Sequence, residues 1–327
     1  MNGAAGALYR GGSSRSHVSE EKFTLPAFAK INLGLRVLGR RPDGYHEIQT
    51  VFQTVTLHDR LSFERLPGGR LELVCAAADV AADESNLVHR AAAALRERFG
   101  VRGGARLELE KMIPAGGGLG GGSADAAAAL VGLTKLWGLA AGGDELAGLG
   151  ARLGADVPFF LTGGTALGTG TGTEITPLED APERHLLIVT PGARVSTAEA
   201  YKALNARALT KADRAANLSV SRAESQIRDS LRGVLTNDFE PAVFGLHPEI
   251  ARARDALAGA GARPAALSGS GSSVFGVFES GGEAEGALAL LRAEPGWRVF
   301  RCATLTRGGY AAAFGPCAAA LRRPRAT

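Results

Sequence analysis

Cysteine is scarce in this sequence, and the few cysteines are far apart. Only three occur among the 327 residues, at Cys75, Cys302 and Cys317. An odd number without close spacing gives neither a disulfide framework nor a C-x-x-C pair for a metal ion. Free thiols are typical of a reducing compartment, so we expect a cytoplasmic protein.

The sequence also lacks a hydrophobic run long enough to span a membrane. Asp125 and Lys135 interrupt the Ala- and Leu-rich stretch that comes closest to one. The first 20 residues have no apolar core of the kind that a signal peptide needs. We interpret residues 1–20 as a disordered extension, although their Arg and Ser content would also suit a transit peptide. No membrane partner is expected.

Charge of one sign does not dominate. The 37 Lys and Arg residues against 33 Asp and Glu residues leave a formal net charge of +4, and the basic residues are dispersed. Nucleic-acid binding requires a concentrated basic stripe interleaved with aromatic residues, which this sequence does not have. A small anionic substrate suits the composition better. We interpret the basic residues at 322–325 as part of a disordered tail over residues 316–327.

Length and local patterns predict two domains, because a chain of this size commonly holds about two cores. We place them at residues 21–180 and 181–315, because the residue pattern changes around Asp180 and a short apolar strand follows. Residues 23–38 are predicted to form one or two short strands, and Asp59 is interpreted as a turn. Helical spacing predicts a helix over residues 86–99, and alternation predicts a strand over residues 106–110.

Glycine is what the sequence has in abundance, and six of the seven residues from Gly116 to Gly122 are glycine. Ordering them costs backbone entropy, which is tolerated where a ligand approaches the main chain or φ must be positive. They lead into a predicted helix over residues 124–137, with Ser123 as its N-cap. Free N–H groups and the positive end of a helix favour an anion, above all the phosphates of a nucleotide.

Two widespread glycine loops do not fit this segment. A P-loop needs a Gly-Lys pair, and the sequence contains none. A dinucleotide loop follows a continuously apolar parallel strand, whereas apolar and charged residues alternate at 106–110. Gly116, Gly118 and Gly121 do match the G-x-G-x-x-G pattern, but a glycine-rich run matches most glycine patterns.

Three ordered segments resemble the motifs of the GHMP family of small-molecule kinases. They are PAFAKINLG at residues 26–34, PAGGGLGGGSA at residues 114–124 and LSGSGSSVF at residues 267–275. The resemblance implies an α+β fold of two domains, the N-terminal one like ribosomal protein S5 and the C-terminal one ferredoxin-like. It implies ATP and Mg²⁺ as cofactors, and we expect a monomer or homodimer.

Within the family, further segments are most similar to members whose acceptor is a cytidine diphosphate conjugate of a methylerythritol. These are RPDGYH at residues 41–46, LGADVPFF at 153–160 and STAEAY at 196–201, together with Gly121 and Gly122. A mevalonate, homoserine or sugar acceptor remains an alternative. A non-catalytic nucleotide-binding regulator with the same fold is another.

The resemblance assigns two catalytic residues. Lys30 takes the place of the family's catalytic lysine. Asp156 takes that of the general base for the acceptor hydroxyl. A nearby cation keeps a carboxylate charged and stabilises a transferring phosphoryl group. Without the resemblance, Lys30 would be interpreted as an exposed strand lysine and Asp156 as a loop or capping carboxylate.

The other candidates implied by the resemblance are binding residues, and no metal ligand is assigned. Lys111 is expected at the adenine, and Tyr45 and His46 at the cytosine. Ser123 is a candidate phosphate ligand or a plain N-cap. The ATP site is expected to comprise Lys111, Pro114, Ala115, Gly116, Gly117, Gly118, Leu119, Gly120, Gly121, Gly122, Ser123 and Ala124. The acceptor site is expected to comprise Asn32, Tyr45, His46, Ser268, Gly269 and Gly271.

Overall fold

A computed structural model of the chain describes residues 22–208 and 235–322, so the predicted extension at residues 1–20 lies outside the described residues. The strands are β1 (Phe23–Arg40), β2 (His46–Leu66), β3 (Leu71–Cys75), β4 (Gly104–Glu110), β5 (Thr165–Thr169), β6 (Glu174–Pro177), β7 (His185–Thr190), β8 (Ala265–Leu267), β9 (Val274–Phe278) and β10 (Arg298–Ala303). The helices are α1 (Leu87–Phe99), α2 (Gly121–Trp137), α3 (Gly143–Leu153), α4 (Val157–Phe160), α5 (Thr197–Leu204), α6 (Glu240–Leu246), α7 (Pro248–Gly259), α8 (Gly281–Leu291) and α9 (Arg307–Ala313), followed by a 3-10 helix (Gly315–Ala320).

The first sheet is built on β2, which pairs with β1, β4 and β5, while β3 and β6 complete the sheet on either side. The prediction of strand structure over residues 23–38 is confirmed by β1, which is a single strand and longer than expected, whereas the prediction of a turn at Asp59 is wrong. β1 and β2 run over 18 and 21 residues, and Asp59 is a buried residue of β2, paired with Ala27. An aspartate is tolerated there because its carboxylate accepts hydrogen bonds from Lys111, Met112 and Ile113.

The second sheet is antiparallel, with the strand order β10-β7-β9-β8. From β7 onward the elements follow the order strand, helices, two strands, helix, strand, which is the ferredoxin-like arrangement. Apolar residues of α7 and α8, including Leu257 and Leu288, form one buried cluster with Val189 and Val274 of the sheet. The predicted α+β class with a ferredoxin-like C-terminal domain is therefore confirmed.

The two sheets share an apolar layer. Ile31 and Val51 of the first sheet lie in one buried cluster with Ile188 and Phe275 of the second. Leu119, in the middle of the glycine-rich segment, is buried in the same cluster. The glycine-rich segment is thereby anchored between the two domains.

The C-terminal end of the described chain packs on the core of the first domain. Tyr310, Phe314 and Cys317 are buried in that core, and the ring of Tyr310 lies 5.5 Å from that of Phe28. Residues 316–322 were predicted to belong to a disordered tail, and for them this prediction is wrong. Their apolar side chains, such as Cys317, cover the core.

The helix predicted over residues 86–99 from helical spacing is confirmed as α1. The Asn86 side chain accepts a hydrogen bond from the Val88 N–H group at the start, and Gly100 ends the helix in the left-handed conformation. Across residues 22–208 and 235–322, no helix combines the length and the apolar character needed to cross a membrane.

Replacing Phe275 by alanine should lower the free energy of unfolding by about 3–5 kcal/mol, because its ring is fully buried between the sheets. Leu290→Ala is the matched control. Its side chain is 68% exposed, so its effect should stay within about 0.5 kcal/mol. Urea denaturation measures both values, and equal small losses would contradict the shared apolar layer.

Candidate active site

A cleft of about 1690 Å³ lies between the glycine-rich segment on one side and α5 on the other. Ala124 and Ser268 are buried and do not line the cleft. All other predicted site residues line it: Lys30, Asn32, Tyr45, His46, Lys111, residues 114–123, Asp156, Gly269 and Gly271.

The glycine segment, residues 114–124, leaves the start of α2 uncapped. Gly116, Gly118 and Gly120 have φ values of 68°, 75° and 71°, in the region that favours glycine. The helix begins at Gly121 after Gly120, and no side chain caps it. The prediction of Ser123 as N-cap is wrong, because the left-handed turn at Gly120 starts the helix earlier. The first N–H groups of α2 therefore remain available to an anion.

The third sequence motif packs directly against the glycine segment. The Ser268 hydroxyl donates to the Gly118 carbonyl at 3.1 Å, and the Ser273 N–H group donates to the Gly117 carbonyl at 3.0 Å. A Cβ atom at Gly118 would lie 2.2 Å from the Ser268 carbonyl oxygen. Only glycine permits this approach, which brings segments of both domains into contact.

Lys30 and Asp156 meet in the cleft. The Lys30 Nζ atom lies 3.5 Å from Asp156 Oδ2 and donates to Asn32 Oδ1 at 2.9 Å. Lys30 is 4% exposed, so the alternative of an exposed strand lysine is wrong. The backbone N–H group of Lys30 donates to the Leu119 carbonyl at 3.0 Å, which fixes the lysine beside the glycine segment.

Hydrogen bonds and close packing fix the residues next to Lys30. The Asn32 amide donates to Thr50 Oγ1 at 2.7 Å, and that hydroxyl donates to the Gly34 carbonyl. Gly269 approaches from the second domain, since a Cβ atom there would lie 3.3 Å from Lys30 Nζ. Buried side chains fixed in this way have little freedom to depart from one geometry.

An aromatic stack forms the part of the cleft near α5. The His46 and Tyr201 rings are stacked with centroids 4.4 Å apart, and Phe239 meets Tyr201 edge-on at 4.8 Å. Burial and then the Arg40 charge lower the pKa of His46, which favours the neutral ring. Burial and then the Asp156 charge raise the pKa of Tyr201 to about 12, so its hydroxyl stays protonated. Tyr45 differs from these residues in being 67% exposed.

Lys111 has its ammonium group bound within the protein. Its Nζ atom lies 2.5 Å from Asp59 Oδ2 and 2.7 Å from Asp125 Oδ2. Burial acts to lower the pKa of Lys111, but the charges of Asp125 and Asp59 outweigh burial and raise it. The expected adenine contact of Lys111 stays a prediction.

Sequence reasoning missed two residues, Tyr201, which lines the cleft, and Asn237, which bonds to the third motif. Tyr201 belongs to a segment that supported the resemblance, so its motif could have identified it as a candidate. Asn237 lies in a polar stretch without any such signal. Its amide donates to the carbonyls of Leu267 and Gly269 at 2.9 and 2.8 Å, which fixes the third motif. Only the folded chain brings these residues together.

Two family models match the chain. The model of the GHMP kinases N terminal domain matches residues 86–164, and that of the GHMP kinases C terminal matches residues 209–294. The chain belongs to the GHMP kinase family. The resemblance found in its sequence motifs is thereby confirmed.

Individual relatives match nearly their whole length. The 4-diphosphocytidyl-2-C-methyl-D-erythritol kinase of Prosthecochloris aestuarii is 42% identical over 275 residues, covering 84% of this GHMP kinase and 95% of the relative. The kinase of the same name from Acaryochloris marina is 43% identical, covering 80% of this chain and 89% of the relative.

Solved structures share the fold. The crystal structure of 4-(cytidine 5'-diphospho)-2C-methyl-D-erythritol kinase matches with a TM-score of 0.72 and 36% identity, covering 86% of this chain and 99% of that one. A homoserine kinase from Cytophaga hutchinsonii matches with a TM-score of 0.64 at 20% identity, covering 92% and 98%. At that identity, the second likeness concerns the GHMP fold alone.

Membership of this kinase family implies ATP as the phosphate donor. The uncapped start of α2 fits the phosphates of ATP, because its free N–H groups and its dipole both favour negative charge. Among the described residues, no group of three or more His, Cys, Asp or Glu side chains could hold a metal ion.

Gly118→Ala should raise the KM for ATP about tenfold or more, since a loss of 1.4 kcal/mol in binding is already tenfold. The added methyl group would have to displace the Ser268 carbonyl at a residue whose φ is 75°. Gly148→Ala is the control. This helical glycine has open space around its Cβ position, so alanine should stabilise the protein by about 0.4–1 kcal/mol.

A coupled assay of ADP release gives the KM, and thermal denaturation gives the stability. An unchanged KM for ATP in Gly118→Ala would show that the contact between the two segments is not needed for nucleotide binding.

Proposed function

We propose that this GHMP kinase transfers the γ-phosphoryl group of ATP to the 2-hydroxyl of 4-diphosphocytidyl-2-C-methyl-D-erythritol. This reaction belongs to the methylerythritol-phosphate route to isoprenoid precursors. The observation that carries the proposal is the 42% identity to a kinase named for this acceptor, which extends over 95% of that relative. The described cleft supports it, because it holds an anion site, an ion pair and an aromatic platform.

In this proposal, Lys30 and Asp156 carry the chemistry. The Asp156 carboxylate accepts the proton of the acceptor hydroxyl as that oxygen attacks the γ-phosphorus atom. The bond from this phosphorus to the oxygen that bridges it to the β-phosphate breaks, and ADP leaves. The Lys30 ammonium, 3.5 Å from Asp156 Oδ2, orients the carboxylate and offsets negative charge on the transferring group. Phosphoryl transfer needs positioning and charge stabilisation more than covalent catalysis, which suits a site with few reactive groups.

The glycine segment binds ATP in this scheme, but one helix end is not enough. A helix terminus contributes at most about 2 kcal/mol toward an anion, whereas micromolar binding requires about 8 kcal/mol. Hydrogen bonds from backbone N–H groups to charged oxygens contribute about 1.5–3 kcal/mol each and can supply the difference. Several N–H groups of residues 116–123 must therefore act together.

Mg²⁺ is proposed to enter with the nucleotide. This ion is commonly held by one or two carboxylates together with substrate phosphates and water. Binding in this way needs no dedicated cage of side chains. The ion would neutralise part of the negative charge of the triphosphate.

The aromatic stack of His46 and Tyr201 is proposed to recognise the cytosine, with Tyr45 at the rim of the cleft. Stacking of a base on an aromatic ring contributes about 1–3 kcal/mol in nucleic-acid complexes. A neutral His46 can both donate and accept a hydrogen bond, which suits the polar edge of a base. Asn32 is proposed to contact the acceptor close to Lys30.

Location and assembly are parts of the same proposal. A cytoplasmic enzyme agrees with its three cysteines, which form no disulfide among the described residues. A monomer or a homodimer is proposed, with the small-molecule acceptor and ATP as its partners.

An acceptor panel tests the substrate. We expect ATP-dependent ADP release with 4-diphosphocytidyl-2-C-methyl-D-erythritol and little or none with mevalonate, homoserine or galactose. Activity with one of these acceptors and none with the diphosphocytidyl compound would refute the assignment. Nucleotide binding without turnover on any acceptor would favour a regulator that reuses the fold.

Asp156→Asn and Lys30→Ala should each lower kcat by about 10²–10⁴-fold, the usual contribution of a positioned proton-transfer group. ATP binding should survive, since neither side chain belongs to the glycine segment. Asp144→Asn is the matched control, because its ion pair with Arg322 lies on the surface and should leave kcat unchanged. Single-turnover kinetics and calorimetric ATP binding measure the two effects, and near-normal turnover would remove a residue from the mechanism.

A further inference from the structure

A buried charge cluster lies immediately behind the glycine segment. It consists of Asp59 in β2, Lys111 just after β4 and Asp125 in the first part of α2, and we call it the Asp-Lys-Asp cluster. Both carboxylates contact the same ammonium group, at 2.5 and 2.7 Å. The cluster thus joins the first sheet to both ends of the glycine segment.

Asp59 makes further bonds within this cluster. Its Oδ1 atom accepts hydrogen bonds from the N–H groups of Met112 and Ile113 at 2.5 and 2.8 Å, and Oδ2 accepts from Lys111. Those N–H groups belong to the residues directly before Pro114, where the chain leaves β4 and enters the glycine segment. One fully buried carboxylate therefore fixes the backbone at the entry of that segment.

The exit of the glycine segment is tied to the same point. Asp125 is buried in α2 and accepts a hydrogen bond from Lys111, whose Nζ atom would lie 3.3 Å from a Cβ atom at Gly121. The ammonium group therefore sits beneath the uncapped start of the helix. Entry and exit are linked through two bonds of one side chain.

Stability alone does not account for this arrangement. Buried ion pairs often contribute little to stability, because desolvation cancels the attraction. Among the described residues, Asp125 Oδ1 is buried and has no hydrogen-bond partner, which costs further free energy. Burial and the Asp59 charge also raise the pKa of Asp125, although the Lys111 charge opposes this shift.

We propose that Asp59, acting through Lys111 and Asp125, positions the glycine segment for nucleotide binding. A run of glycines has great conformational freedom, and phosphate binding requires several N–H groups to converge on one anion. Holding both ends from one buried carboxylate reduces the freedom that binding must otherwise remove. The inference rests on the ATP site of the GHMP kinase and not on the identity of the acceptor.

Asp59→Asn tests this role. The change is isosteric, and it leaves the Lys111 ammonium paired with the one remaining carboxylate, that of Asp125. The asparagine oxygen can still accept from the Met112 and Ile113 N–H groups, but the NH₂ group in place of Oδ2 cannot accept from Lys111. The link between the two ends of the glycine segment is therefore lost, and the segment should loosen. The Kd for ADP, measured by isothermal titration calorimetry, should rise at least about tenfold, which corresponds to 1.4 kcal/mol. The Kd for cytidine diphosphate, the probe of the acceptor end, should change less than about twofold, because distant sites act independently.

Asp180→Asn is the matched control. Asp180 also accepts from two backbone N–H groups, those of Thr165 and Arg307, but it lies outside the nucleotide side of the cleft. Its loss should lower the melting temperature without changing either Kd. A folded Asp59→Asn variant with unchanged ADP affinity would overturn the proposal, as would equal losses for ADP and cytidine diphosphate. Failure of cytidine diphosphate to bind the unmodified protein would count against the proposed acceptor instead.

Lys111→Met keeps the test decisive if Asp59→Asn does not fold. Tripolyphosphate is the second probe, because it carries the charge of a nucleotide without the base. If the cluster positions the glycine segment, Lys111→Met should weaken ADP and tripolyphosphate alike. Weaker ADP binding with unchanged tripolyphosphate binding would show that Lys111 contacts adenine, and it would overturn the positioning role.

Discussion

The close approach of two backbone segments at Gly118 is the constraint on which the rest of the site depends. A Cβ atom at Gly118 would lie 2.2 Å from the Ser268 carbonyl oxygen, so any side chain there would push the two segments apart. Leu119, the next residue, is buried between the sheets, and its carbonyl accepts from the Lys30 N–H group. The glycine segment, Lys30 and the third motif therefore hold one another in place.

Charge inside the cleft is organised around two buried lysines with different partners. Lys30 faces Asn32 and Asp156 where the proposed chemistry takes place, whereas Lys111 is enclosed by Asp59 and Asp125 behind the glycine segment. A charge facing the substrates can act on reacting groups. A charge enclosed by two carboxylates acts through the backbone that it holds. Both lysines are conspicuous in the sequence, but only their partners separate the two roles.

Local patterns predicted much of the fold. The helix predicted over residues 86–99 and the strand predicted over residues 106–110 follow from residues close in sequence, so they were found without tertiary information. The predicted turn at Asp59 failed because its stabilising partners are more than fifty residues away. The predicted cap at Ser123 failed because a glycine in the left-handed region can start a helix where no capping side chain is present.

The sequence by itself determined the family, the class of reaction and the glycine segment that lines one side of the cleft, because three ordered motifs combine residue types that phosphoryl transfer requires. Tertiary structure alone decided how these residues work together. It stacked His46 on Tyr201, fixed the third motif through Asn237 and buried Lys111 between two carboxylates. The physical reason is that burial, pKa and hydrogen bonding depend on neighbours in space, and these neighbours come from distant parts of the chain.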